Sequence, residues 1–179
     1  MPPPVVPNDL FHPSLGTGHR MPLDSDLFRS VLGRFATGVT VVTMRDADGR
    51  DHGMTVSAFS SLSLDPPLVL FCIDRTASMA GVTREASYIA VNILSASQEA
   101  LSRRFSNLDA NTRFDGIGFS RAGSGAPILD DVLAHLECEV LRQHDGGDHL
   151  VFVAEVRSAE ARDERPLLYY RGGYAQLER

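Results

Sequence analysis

Cysteine is nearly absent from this sequence: its 179 residues hold two, Cys72 and Cys138, each inside an apolar, strand-like run. A disulfide scaffold is thereby excluded, and two structural thiols in a reducing, cytoplasmic compartment are expected. A basic excess is also lacking. With 17 Lys and Arg against 23 Asp and Glu, the formal net charge is -6, so the chain is no general nucleic-acid binder and must meet an anionic ligand with local donors. No stretch approaches the ~20 apolar residues of a membrane span, so no membrane association is expected. Internal repeats and G-x-G-x-x-G are absent too. The histidines show no ligand spacing, so no metal site is expected.

What is present reads as one globular domain. Residues are 43% hydrophobic and 22% charged, enough to bury a core without staples. Residues 1–22 hold six of the ten prolines but no basic segment followed by an apolar one, which predicts a loosely draped arm rather than a secretory signal. The domain is then expected over residues 23–179.

From Asp24 onward, Leu27, Phe28, Val31, Leu32 and Phe35 recur at helical spacing, with Asp24 or Ser25 as N-cap and Gly38 as the stop. VTVVTM at residues 39–44 and the stretch from His52 predict a hairpin across the turn residues Asp46, Asp48 and Gly49. A strand over residues 54–64 would be unusually long, which predicts a bend near Phe59 to Ser61. Beyond Pro66 and Pro67, LVLFCI reads as a strand buried on both faces. Thr76 or Ser78 is expected to cap a short helix, YIAVNIL to return as a strand, and Ser95 with Gln98 to open a helix whose inner face carries Leu101 and Phe105. Residues 106–127 are too long for a simple connector. AHLECEVLR, the DGGD turn and HLVFVAEV form a further hairpin. Many antiparallel strands with a few short helices point to a closed or half-closed barrel.

One stretch poses a chemical question. HGMTVSAFSSLSLDPPLVLF, residues 52–71, places Thr55, Ser57, Ser61 and Ser63 on alternate positions, with no charge between His52 and Asp65. A solvated strand face would mix in charged residues, so this face is half enclosed. By residue type alone, the row is equally what good strand and turn formers give.

Four segments, taken together, carry a resemblance: FRSVLGRFATGVTVVT at residues 28–43, HGMTVSAFSSLSLDPPLVL at 52–70, YIAVNIL at 88–94 and GDHLVFVAEV at 147–156. In this order they resemble the flavin reductase family, whose members supply reduced flavin to two-component monooxygenases. The resemblance implies a mainly β, flavin-binding split barrel with short helices, usually a homodimer. It implies a reductase that moves a hydride from NADH or NADPH to FMN or FAD for a partner monooxygenase. The alternative is a split barrel that binds flavin or another planar cofactor without turnover.

The resemblance also assigns residues. Thr55, Val56, Ser57 and Ala58 would lie along the isoalloxazine and ribityl, and Cys72, Ile73, Ser78 and Met79 become flavin contacts at a strand-to-helix turn. The amides of Thr76, Ala77 and Ser78, with Arg75, are expected to meet the phosphate at that turn. Phe105 stands between ring contact and core packing. His149, in its GDH context, is implied beside the nicotinamide, which it would orient rather than deprotonate. A departure is Ala154, where many relatives carry glycine before the Glu-Val pair.

Overall fold

A computed structural model describes residues 23–107 and 109–177. The proline-rich arm expected over residues 1–22 lies outside them. The first element, α1 (Ser25–Leu32), starts where the sequence predicts: the Asp24 side chain accepts from the Asp26 amide at 3.0 Å. It ends at Gly33 rather than Gly38. There the chain must turn to lay β1 (Thr37–Gly38) beside a strand from its far end, and the Gly33 carbonyl accepts from the Arg171 amide at 2.8 Å.

The expected hairpin is β2 (Thr40–Arg45) and β3 (Asp51–Val56), and the following stretch yields β4 (Phe59–Leu64) and β5 (Pro67–Asp74) around a tight turn. After α2 (Ala80–Glu85) come β6 (Tyr88–Ile93) and α3 (Glu99–Asn107). The excursion contains a hairpin of β7 (Phe119–Arg121) and β8 (Pro127–Leu129). The long strands β9 (Ala134–Gly146) and β10 (His149–Ala161) follow, then the short β11 (Leu168–Tyr170) and β12 (Gly173–Ala175).

Seven strands form one antiparallel sheet in the order β3-β2-β6-β9-β10-β5-β4. Its two edge strands, β3 and β4, are consecutive in the chain and separated only by Ser57 and Ala58. Two residues span at most about 7 Å, so the sheet has to roll until its edges meet, which is the split barrel the resemblance implied. The expected bend therefore falls earlier than Phe59. At Ser57 the chain leaves one edge and enters the other, and the Phe59 amide donates back to the Ser57 carbonyl at 3.0 Å. A register shift between Ser61 and Ser63 adds a second irregularity.

Inside the barrel, Val42, Met44, Val56, Phe71, Ile73, Ile89, Leu150 and Phe152 form the main core, with Phe71 and Phe152 stacked 5.0 Å apart. The expectation that LVLFCI is buried on both faces holds for one: Val69, Phe71 and Ile73 are buried, whereas Leu68, Leu70 and Cys72 are half-buried. Ala154 points into this core and is fully buried. A second core lies outside the barrel, where α3 covers β2 with Val39, Val41, Phe105, Leu129 and Leu167. Phe105 packs within this core, its ring fully buried and edge-on to Phe114 at 5.1 Å. Gly53 makes room for it, since a β-carbon there would stand 2.6 Å from the ring. Asn92 ties this layer together, donating to the Val41 carbonyl and the Thr43 hydroxyl and accepting from the Leu129 amide.

Candidate active site

Alternation along β3 turns Val56 into the core and Thr55 and Ser57 outward. The Thr55 hydroxyl donates to the Ser102 carbonyl of α3 at 2.7 Å, which joins strand and helix as two walls of a cleft. The α3 start has half of the predicted capping box: Gln98 Oε1 accepts from the Ser95 amide at 3.0 Å, whereas the Ser95 hydroxyl meets Ser97. The third wall comes from β11 and β12. Their loop is Arg171 and Gly172, at φ of 52° and 80°, the doubly left-handed geometry whose twist suits a two-residue hairpin. It brings Tyr169 and Tyr174 together edge-on at 5.5 Å. The Tyr174 hydroxyl meets Ser102 Oγ at 2.8 Å, and the Arg103 guanidinium lies 4.8 Å above the Tyr174 ring while pairing with Glu99.

The resulting cleft has a volume of about 410 Å³ and is lined by Val39, Thr55, Ser57, Ser102, Tyr169 and Tyr174, among others. That volume lies in the ~300–1,000 Å³ range of cofactor clefts. Its donor set fits a flavin: hydroxyls and a cation for polar edges and ribityl, aromatic surface for a planar ring. Sequence reasoning reached Thr55 and Ser57 and missed Ser102, Arg103, Tyr169 and Tyr174. The available signal was YYRGGY, two glycines between tyrosines, which is a hairpin signature in so short a segment.

The other nominated residues lie elsewhere around the Ser57–Ala58 crossing. The Cys72 amide donates to the Ala58 carbonyl at 2.9 Å, and on the far side of β5 Cys72 pairs with Val151 and Asp74 with His149. From strand spacings, Ala58 and His149 stand on the order of 12 Å apart across one end of the sheet. The side chains of Val56, Ile73 and Met79 are buried in the core, which leaves only their peptide groups to face a ligand. Ser78 lines a different cleft, with Arg45, Asp48 and Tyr88, that shares no lining residue with the first.

The expected phosphate turn is built otherwise. Asp74 Oδ1 accepts from both the amide and the hydroxyl of Thr76, and the Asp74 carbonyl accepts from the Ala77 amide. Those hydrogen bonds from Thr76 hold the Asp74 carboxyl below its ordinary range. The helix begins only at Ala80, with Met79 as an N-cap that makes no side-chain bond. The amides of Thr76 and Ala77 are thus already engaged, and the Arg75 guanidinium binds the β9–β10 turn. Burial raises both thiols, that of Cys138 to about 12. Among the described residues, no group of three or more His, Cys, Asp or Glu is placed to hold a metal, and no helix is long and apolar enough to cross a membrane.

The excursion after α3 is strapped to the barrel. Arg104 donates to the carbonyls of Thr112, Arg113 and Asp115, and Arg113 to that of Gly53. These bonds hold it beside α3 and β3.

Comparison with known proteins agrees with this architecture. The model of the flavin reductase like domain matches residues 32–178. A reductase subunit of a flavin-dependent monooxygenase from Rhodococcus jostii is 43% identical over 157 residues, covering 87% of this chain and 80% of that protein. An FMN reductase (NADH) from Agrobacterium fabrum is 41% identical, covering 87% of this chain and 88% of its own length. Among solved structures, an NADH:FAD oxidoreductase of Streptomyces globisporus, in complex with NAD and FAD fragments, superposes with a TM-score of 0.82. It is 36% identical and covers 87% of this chain and 93% of that one. A split barrel whose edge strands join at Ser57–Ala58, a hydroxyl-walled cleft beside it and a domain match across nearly all described residues lead to one conclusion: this chain belongs to the flavin reductase-like family.

Proposed function

We infer that the chain is an NAD(P)H-dependent flavin reductase: it takes a hydride from NADH or NADPH, passes it to FMN or FAD, and supplies reduced flavin to a partner monooxygenase. The observation that carries the reading is the cleft in which Thr55 and Ser57 face Tyr169, Tyr174 and Arg103, on a chain of this family. Flavin held in this cleft would supply the ring that takes up the hydride and would carry the two electrons away as the reduced product. The chain's own residues bind and orient. Ser57 offers a hydroxyl to polar edges, buried Ser102 holds the Tyr174 hydroxyl in place, Tyr169 and Tyr174 offer flat apolar surface, and Arg103 offers the charge an acidic protein must place locally. His149, its Nδ1 2.8 Å from Asp148 Oδ1, orients the nicotinamide. Hydride transfer needs alignment more than a proton carrier.

The names of similar proteins support the oxygenase partner: a reductase subunit of a flavin-dependent monooxygenase and the reductase component of a nitrophenol monooxygenase. A homodimer is supported by α1, whose Leu27, Phe28, Val31 and Leu32 are each at least 50% exposed, a face that a second copy would cover. Two free thiols fit a cytoplasmic setting. The cleft is tested by Ser57→Leu, which fills it without touching the core. Flavin affinity, followed by fluorescence titration, should fall at least about tenfold, a loss of about 1.4 kcal/mol, with an unchanged melting temperature. Wild-type affinity would remove the hydroxyl wall from the site.

A further inference from the structure

The turn that carries His149 reaches beyond the strand that supports it. The ladder between β5 and β10 ends at the pair of Asp74 and His149, and residues 141–148 are exposed. Such a tip, held only by its own hairpin, would sway at its end. Arg75, the first residue past β5, reaches it three ways. Its amide donates to the Asp148 carbonyl at 3.0 Å, its Nε donates to the Gly147 carbonyl at 2.8 Å, and its Nη2 pairs with Asp145. Among the described residues, these are the hydrogen bonds that the rest of the chain sends to residues 145–148.

The guanidinium fork fits this task. One edge of it meets a carbonyl and a carboxylate on both arms of the turn at once, which a lysine, with a single ammonium, does not reproduce. The carboxylate responds: the hydrogen bond from Arg75 is the main cause that holds the Asp145 carboxyl below its ordinary range. His149 stands immediately after the clamped segment, and its ring is tied to Asp148, whose own carbonyl is one of the three clamped atoms. Movement of the tip therefore moves the imidazole.

We propose that Arg75 is a positioning residue for the reducing nucleotide: by clamping the β9–β10 turn it fixes His149 where the nicotinamide is oriented. The inference rests on the reading of His149 above. It differs from the phosphate-binding role that the sequence suggested for Arg75, since that role needs only the charge, whereas a clamp needs the fork.

The test uses the full chain in five forms: wild type, Arg75→Gln, Arg75→Lys, His149→Ala, and Arg75→Gln with His149→Ala. The readouts are KM for NADH and NADPH, KM for flavin, NAD+ affinity, melting temperature, and hydrogen exchange of the peptide spanning residues 143–150. Arg75→Gln should raise the nucleotide KM and weaken NAD+ about three- to tenfold, the scale of a lost charge-assisted contact. Flavin KM should hold, and exchange in the turn should speed up. Arg75→Lys should behave like Arg75→Gln, and Arg75→Gln should add nothing once His149 is alanine. A lysine variant with wild-type nucleotide KM, or an additive double variant, would overturn the clamp in favour of direct contact by charge. Unchanged exchange in Arg75→Gln would also overturn it. If His149→Ala leaves nucleotide KM unchanged while exchange still rises in Arg75→Gln, the His149 reading fails and the link to the nucleotide fails with it. Should Arg75→Gln not fold, Asp145→Ala, which loosens the clamp from its exposed side, must show the same direction in exchange and KM, and its failure to do so overturns the proposal.

Discussion

Gly53 shows how one missing side chain seats another. Phe105 fills the space a β-carbon would need, and Arg113 donates to the Gly53 carbonyl from the other side, so neither backbone nor ring has room to yield. Gly53→Ala is expected to cost about 1–3 kcal/mol of stability, as overpacking does, read by denaturant unfolding; a variant as stable as wild type would mean the ring moves freely. Cys138 makes a second residue-scale prediction. Burial holds its thiol at about 12 in the folded chain, against about 8.5 for a free cysteine. Its neutral form is favoured by folding, so its contribution to stability is complete below pH 8.5 and is lost as the pH climbs toward 12. Cys138→Val should lose less stability than wild type between pH 8.5 and 11. Parallel curves in urea unfolding would contradict this. At this scale the sequence was partly legible: alternation put Thr55 and Ser57 on one face and Val56 on the other. That Ile73 faces the core depends on which side of β5 the sheet curls over, which no local pattern encodes.

Among the elements, those defined by local chemistry were the readable ones. The β2–β3 hairpin, the α3 start and the DGGD turn each announce themselves by turn or capping residues within a few positions. The crossing at Ser57–Ala58 did not, because a break between two strands of one apolar run is dictated by where the sheet meets itself. The start of α2 was misplaced for a related reason: Asp74 captures the Thr76 amide and hydroxyl, and this side-chain turn outcompetes Thr76 as a helix cap. Helix α1 was read correctly as amphipathic, yet its apolar side faces solvent in the single chain, with Val31 57% exposed. Covering that face in a homodimer predicts that Phe28→Asp combined with Val31→Asp shifts the molar mass in light scattering from dimer to monomer. Each such side chain returned to water costs about 1.5–3 kcal/mol, so dimerisation should weaken by roughly two decades or more. A mass unchanged at low micromolar concentration would place the interface elsewhere.

For the whole molecule, the topology explains why the site lies where it does. A sheet whose edge strands are consecutive in sequence must roll up at their junction, and the seam leaves backbone and hydroxyls exposed beside a packed core. Helix α3 and the β11–β12 hairpin then close the space around Thr55 and Ser57, so the cleft is assembled from segments far apart in the chain. That assembly is why Ser102, Arg103, Tyr169 and Tyr174 escaped sequence reasoning while Thr55 and Ser57, on one strand, did not. Hydride transfer to free flavin is tested most directly by steady-state oxidation of NADH and NADPH by purified protein with FMN or FAD. Nucleotide oxidation that saturates with added flavin, in at least one of the four combinations, is the predicted result. Oxidation of neither nucleotide above background, with either flavin present, would contradict it.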